Sequence, residues 1–252
     1  MFNFPNVTLL ITHYNRSSSL ERLLSAFEKL ECKFGDIVVS DDCSKPENLQ
    51  RIMQMEKTFN FRLITTPVNK GLGNNINKGQ DAVKTQYTLY VQEDFVPQLI
   101  FPENLNRALV FMNESTDLDM VRFYAYFKYP YLEPVSDGFS EMIFKFSNPG
   151  YKKFYYYSDH PHLRRTTFFE KFGRYAEGIR LEATEYQMMI SFLKKKGKAY
   201  FFDEYTTLFE QKNSQAEPST VRRNIWRENE NRVMVFLRYV YRHLKFNYNY
   251  LR

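Results

Sequence analysis

Glu93 and Asp94 stand side by side near the end of the segment YVQEDF, residues 90–95, directly after a run that reads as a strand. Adjacent carboxylates at a strand end suit a divalent metal held against a phosphate, because hard cations take oxygen ligands. The same pair also occurs as plain turn residues, so its company decides. Asp41 and Asp42 close an apolar run at residues 37–40, His13 to Asn15 follow a run at 7–12, and Asn69 and Lys70 lie beyond a run at 61–65. Polar side chains therefore gather at four strand ends, and in open α/β sheets ligands sit beyond the carboxyl ends of the strands.

The elements that must position these residues alternate. The strands at 7–12, 37–40, 61–65 and 87–91 are separated by helical patterns at 20–30, 46–57 and 74–83, with Ser19 expected to cap the first and Gly35 expected to break the chain. Strand–helix repetition with short loops predicts an α/β fold with a mostly parallel central sheet flanked by helices. Further on, helices are expected over 97–113, 166–172 and 184–195. Strands are expected over 139–146, 199–202 and 205–209. Residues 211–219 read as a linker and 221–244 as a long basic amphipathic helix. The domain reading is a catalytic unit over 1–210 and a helical extension over 211–252.

The 252 residues suffice for one domain with a real core. The aromatic content is high, with 19 Tyr and 24 Phe, which suits cores, sugar platforms and interfaces alike. Cys32 and Cys43 form neither a disulfide framework nor a zinc pattern, and the expected setting is the cytoplasm. No apolar run is long enough to span a bilayer, and the N-terminus reads as structure rather than as a signal peptide. The net charge is +6, and eight Arg or Lys against two Glu between Arg222 and Arg252 account for it. Such a local excess, with no recognition motif, argues against nucleic acid. It points to a helix that packs on the domain, pairs in a homodimer or lies on the inner face of the cell membrane.

Five segments together resemble the nucleotide-sugar-dependent glycosyltransferases of family 2, which have the GT-A fold. VTLLITHYNR (7–16) looks like that family's first strand and Tyr-Asn turn. VVSDDCS (38–44) is similar to its aspartate-rich motif, and NKGLGNNINKG (69–79) resembles its Asn-x-Gly loop and following helix. QED (92–94) falls on its metal-binding Asp-x-Asp, and FFEKFGRY (168–175) looks like the stretch before its acceptor-side acid. The resemblance implies transfer of a sugar from a nucleoside diphosphate, a UDP-sugar as first guess, to a hydroxyl on a glycan or lipid-linked acceptor. The family's mechanism is an inverting displacement with Mg²⁺ or Mn²⁺, and a hexosyltransferase of surface-polysaccharide assembly is the expected kind.

The same resemblance places Asp94 on the metal and Thr12, Tyr14, Asn15, Asp41, Asp42, Asn69, Gly71, Asn77, Gln92 and Glu93 around the nucleotide sugar. Gln92 departs from the family's Asp and is a poor ligand for a hard cation, though it can hydrogen-bond a ribose. Counting back from Gly197 sets Glu185 and Tyr186 on the family's Glu-Asp pair, so the general base is Glu185, with Glu182 as the alternative. Both acids would also suit a helix N-terminus for structural reasons. His160, His162, Arg164 and Arg165 form a cluster suited to a diphosphate or anionic acceptor. Two rivals stay open. A nucleotidyltransferase also uses an α/β sheet, acids and a metal, but this chain lacks a Gly-rich first loop with Lys or Arg. An inactive homologue that binds a sugar nucleotide or a partner enzyme draws support from Gln92 and the uncertain base.

Overall fold

The computed structural model describes residues 1–213, 217 and 231–252. Strand β1 (Phe2–His13) is followed by α1 (Ser17–Lys29), β2 (Cys32–Asp41), α2 (Pro46–Phe59), β3 (Arg62–Ile64), α3 (Gly71–Asp81) and β4 (Tyr87–Gln92). Then come β5 (Phe95–Pro97), α4 (Phe101–Glu114), β6 (Met120–Arg122), β7 (Leu132–Ser136), β8 (Phe139–Met142) and β9 (His162–Arg165). The rest comprises α5 (Phe168–Phe172), α6 (Leu181–Lys194), β10 (Ala199–Phe202), β11 (Phe209–Gln211) and α7 (Arg232–Leu251).

One sheet runs in the order β3-β2-β1-β4-β9-β6-β10-β8-β7, while β5 and β11 pair apart from it. The pairings β3–β2, β2–β1, β1–β4 and β6–β10 are parallel. Those of β4–β9, β9–β6, β10–β8 and β8–β7 are antiparallel. The sheet is thus evenly mixed, which corrects the expectation of a mostly parallel one. β9 and the β7–β8 hairpin account for the difference. β9 (HLRR) is too polar to read as a buried strand, and β7 joins β8 through Asp137 and Gly138, at φ 52° and 78°. That pair is the Asp-Gly turn a two-residue hairpin favours.

Helices cover both faces, so β1 is apolar on both sides. Leu9 and Ile11 enter the core shared with α1, α2 and α4, while Leu10 enters the core shared with α3, α5 and α6. The second core absorbs much of the aromatic content, for example Phe172 and Phe192 with ring centroids 4.4 Å apart.

Several local expectations need correction. Gly35 does not break the chain but lies inside β2, where a Cβ would sit 2.0 Å from the Pro5 carbonyl oxygen. Only glycine fits that close approach, which sits beside the register shift between Phe4 and Thr8. Ser19 does not cap α1, which begins two residues earlier. The strand expected at 205–209 is displaced to β11. The basic helix begins at Arg232 and runs to Leu251, and the earlier part of its expected span lies outside the described residues.

Candidate active site

The carboxyl ends of β1, β2 and β4 are neighbours, because His13 pairs with Asp41 and Thr12 with Gln92 in the sheet register. This brings the first three polar strand ends to one rim. Asp41 is fully buried there and accepts from Ser44 Oγ and, at 2.9 Å, from the Ser44 backbone N–H. His13 Nδ1 lies 2.8 Å from Asp41 Oδ1. The Arg16 backbone N–H donates to His13 Nε2 at 3.1 Å, which leaves Nδ1 as the protonated nitrogen facing Asp41. Burial alone would raise the Asp41 carboxyl, but the His13 and Ser44 hydrogen bonds outweigh it and hold it below its ordinary value. His13 is thus an interior partner of Asp41.

The neighbouring residues are also placed by hydrogen bonds. Asp42 accepts the backbone N–H groups of Lys70 and Gly71, each at 2.8 Å, and so fixes the loop that opens α3. Within that loop Asn69 is exposed, and Gly71 takes φ +83° with open space where a Cβ would point. Tyr14 is half-buried at the end of β1. Asn15 sits at φ 56°, receives the Lys45 N–H on its side chain and donates its own N–H to Ser44. Asn77 turns away from the rim and clamps the 175–177 segment, donating to the Tyr175 carbonyl and Glu177 and accepting the Tyr175 N–H. Thr12 Oγ1 meets the Tyr90 hydroxyl at 3.0 Å, and Gln92 is half-buried at the end of β4.

Glu93 and Asp94 are both buried and share one cation. Arg16 Nη1 lies 3.3 Å from Glu93 and 3.4 Å from Asp94. Arg16 also donates to Asn213 and to the Glu217 carbonyl, and Glu217 in turn accepts the Ser18 and Ser19 N–H groups at the start of α1. Burial and the adjacent Asp94 push the Glu93 carboxyl up to about 7, against the pull of His13 and Arg16. Asp94 Oδ2 accepts from Gln211 at 2.9 Å, whereas Asp94 Oδ1 is buried with no partner. That open oxygen suits a metal. Among the described residues no three His, Cys, Asp or Glu side chains form a ready metal group. Magnesium commonly takes only one or two carboxylates, completing its shell with substrate phosphates and water. The site therefore fits a divalent ion held by Asp94 and the donor.

A second group lies beside Tyr90. Glu185, in the first turns of α6, accepts the Asp159 backbone N–H at 3.1 Å, and the two carboxyls face each other electrostatically. Asp159 Oδ1 accepts from the Tyr157 hydroxyl, and Oδ2 is buried without a partner. Burial first and then the Glu185 charge raise the Asp159 carboxyl. Burial also raises Glu185, opposed by its backbone hydrogen bond and Arg122. Glu182 lies half-buried one turn earlier. Tyr186, on the family's Asp position, faces α7 instead, where Asn249 donates to its hydroxyl and Phe246 packs at 5.1 Å.

The His/Arg cluster divides. His160 lies among Phe95, Tyr124 and Tyr126, and Tyr126 reaches Gln211 beside Asp94. Burial, then Arg122, push its imidazole down to about 3, so it is neutral at physiological pH. His162 is fully buried between Tyr90 and Tyr157. Arg164 is buried against Gln80 and Tyr175, and Arg165 holds the carbonyls of Met112, Ser115 and Leu118 at the end of α4. Both arginines are thus committed to the fold. Arg16, Asp159, Arg122 and Gln211 are the site residues that sequence reasoning missed. Arg16 closed the VTLLITHYNR motif and Asp159 stood next to His160, whereas Arg122 and Gln211 carried no signal.

A rim of acids and amides at adjacent parallel strand ends, with an open carboxylate oxygen, is the place where an open α/β sheet binds its ligand. The chain belongs to glycosyl transferase family 2, whose model matches residues 8–175. Poly-beta-1,6-N-acetyl-D-glucosamine synthase of Staphylococcus epidermidis is 26% identical over 90 residues, covering 36% of this chain and 22% of that protein. An uncharacterized glycosyltransferase of Haemophilus influenzae is 20% identical over 115 residues, covering 46% of this chain and 37% of its own. The chain thus matches well under two thirds of these relatives' length. Among solved structures, S. aureus TarS 1–349 in complex with UDP-GlcNAc matches 96% of this chain and 73% of its own, with TM-score 0.62 and 16% identity. The mannosyltransferase PcManGT of Pyrobaculum calidifontis in complex with GDP-Man and Mn²⁺ matches 78% and 55%, with TM-score 0.54 and 12% identity. At these identities the likeness is one of fold.

Proposed function

We propose that this chain transfers a sugar from a nucleoside diphosphate, with UDP-sugars as the first donors to test, to a hydroxyl of a glycan or lipid-linked acceptor, with inversion. The observation that carries the reading is the rim at β1, β2 and β4, where Asp94 keeps a buried oxygen open beside the donor-side residues. TarS with UDP-GlcNAc and PcManGT with GDP-Man and Mn²⁺ supply the donor classes. The catalytic unit, expected over 1–210, takes in Gln211, Asn213 and Glu217 through Asp94 and Arg16, and α7 is an extension to it.

In this reading Asp42 and the Tyr14–Asn15 turn bind the nucleoside side, Asp41 holds that turn in place through Ser44, and Asn69 and Gly71 line the same site. Gln92, half-buried at the end of β4, orients the ribose or sugar. Asp94 holds Mg²⁺ or Mn²⁺, which when bound neutralises the leaving diphosphate. Glu185 takes the acceptor proton, with the Asp159 carboxyl beside it to share that proton; Glu182 is the alternative base. A hydroxyl is a poor nucleophile and needs such a base within about 3 Å.

Calorimetric titration of UDP-, GDP- and TDP-sugars with and without Mn²⁺ tests the donor side. Metal-dependent binding that disappears in Asp94→Ala is expected, and binding unchanged by that substitution refutes the metal assignment. A second reading, a binding-only homologue, has a specific observation behind it, since Tyr186 occupies the family's acid position and faces α7. Slow donor hydrolysis, abolished by Asp94→Ala, rules that reading out.

A further inference from the structure

We propose that α7 is an interfacial helix that seats the chain on an anionic lipid surface. One side of α7 is docked. Phe246 is buried against Phe154, Tyr155 and Tyr186, and Tyr250 stacks on Phe146 at 5.6 Å. The other side carries a second apolar stripe. Val233, Leu237, Tyr241, Leu244, Tyr248 and Leu251 follow one another at intervals of three or four residues, and their exposure runs from 47% at Leu237 to 70% at Leu251. At 1.5 Å per residue the stripe is about 27 Å long. An amphipathic helix normally turns its single apolar stripe to the core. Here the core side is already satisfied, and the outward stripe needs a partner of its own.

Charge selects that partner. Residues 232–252 contain five Arg or Lys and no Asp or Glu. By helical spacing, Arg238, Lys245 and Arg252 border one edge of the stripe. A second copy laid on the stripe would bring two cationic edges together with no acid in the segment to answer them. Anionic headgroups answer the cations while the acyl boundary takes the stripe, and Tyr241 and Tyr248 suit the headgroup level. No helix among the described residues is long and apolar enough to cross a membrane, so the contact lies along the surface. The inference is independent of the transfer chemistry.

Flotation of the full chain with vesicles of phosphatidylcholine, with and without phosphatidylglycerol, tests it. The chain is expected to float with anionic vesicles only and to be partly released by salt. Leu237→Glu/Leu244→Glu should remain unbound with an unchanged melting curve, since both side chains are exposed. Lys245→Gln/Arg252→Gln, a milder variant, should weaken partitioning roughly 25-fold, at about fivefold per cation. Absence of flotation with anionic vesicles, or undiminished flotation of either variant, overturns the proposal. So does a dimer in light scattering that Leu237→Glu/Leu244→Glu converts to a monomer.

Discussion

Gly73→Ala sets two effects of opposite sign against each other. Gly73 lies in the first turn of α3, and its φ is not left-handed. Helix propensity alone therefore makes Ala the more stable residue by about 1 kcal/mol. The crossing with the segment before α6 argues the reverse, because a Cβ there would meet the Ala176 carbonyl oxygen at 2.2 Å and Thr184 Cγ2 at 3.2 Å. An ordinary contact requires α3 and that segment to separate by about 1 Å, and forced overpacking of this kind costs about 1–3 kcal/mol. The separation also strains the bonds that hold the crossing, the reciprocal Asn77–Tyr175 pair at 2.9 and 3.0 Å. Each is worth about 1 kcal/mol. The expected net is a loss of about 2–4 kcal/mol, read as a lower urea midpoint at unchanged slope and a Tm lower by about 4–16 °C. A Gly73→Ala variant as stable as the parent, or more so, refutes the tight crossing.

Further outcomes follow from the buried charges. Arg16→Met leaves Glu93 and Asp94 without their shared cation and should destabilise the chain by about 3–5 kcal/mol near neutral pH. The loss should shrink as the pH falls and Glu93, already raised to about 7, takes a proton; equal losses at pH 5 and 8 would contradict the assignment. Asp159 is raised, so the folded chain holds a proton that the unfolded chain releases above about pH 4. Stability is then lost as pH rises, at most about 1.4 kcal/mol per pH unit, and Asp159→Asn should gain on the parent over that interval. Denaturation curves whose difference is constant with pH would refute this.

The legible part of the fold is its parallel half. β1, β2 and β4 are buried on both faces and read as apolar runs, and each run stops where polar residues meet the rim. The other half was opaque for a physical reason. β9 is built of His162, Leu163, Arg164 and Arg165, and it can be interior only because Gln80, Tyr175 and the α4 carbonyls satisfy its charges. Such partners come from distant parts of the chain and leave no local periodicity. The same holds in the site. Asp94 was visible from its neighbours in sequence, whereas Arg16 becomes meaningful only when β1 and β4 lie side by side. Asp159 gains its role only when α6 brings Glu185 to it.

The place of β9 in the sheet also has a consequence for how the chain is made. β4 pairs with β1 as soon as both exist, but its other edge stays open until His162 to Arg165 emerge. At typical rates of synthesis the stretch between Gln92 and His162 takes on the order of 4–14 s. Throughout that interval a hydrophobic strand edge stays open, able to pair with another nascent chain. Synthesis at high copy number is therefore this protein's most vulnerable moment, and slowing translation just before residue 162 should raise aggregation without altering the finished fold.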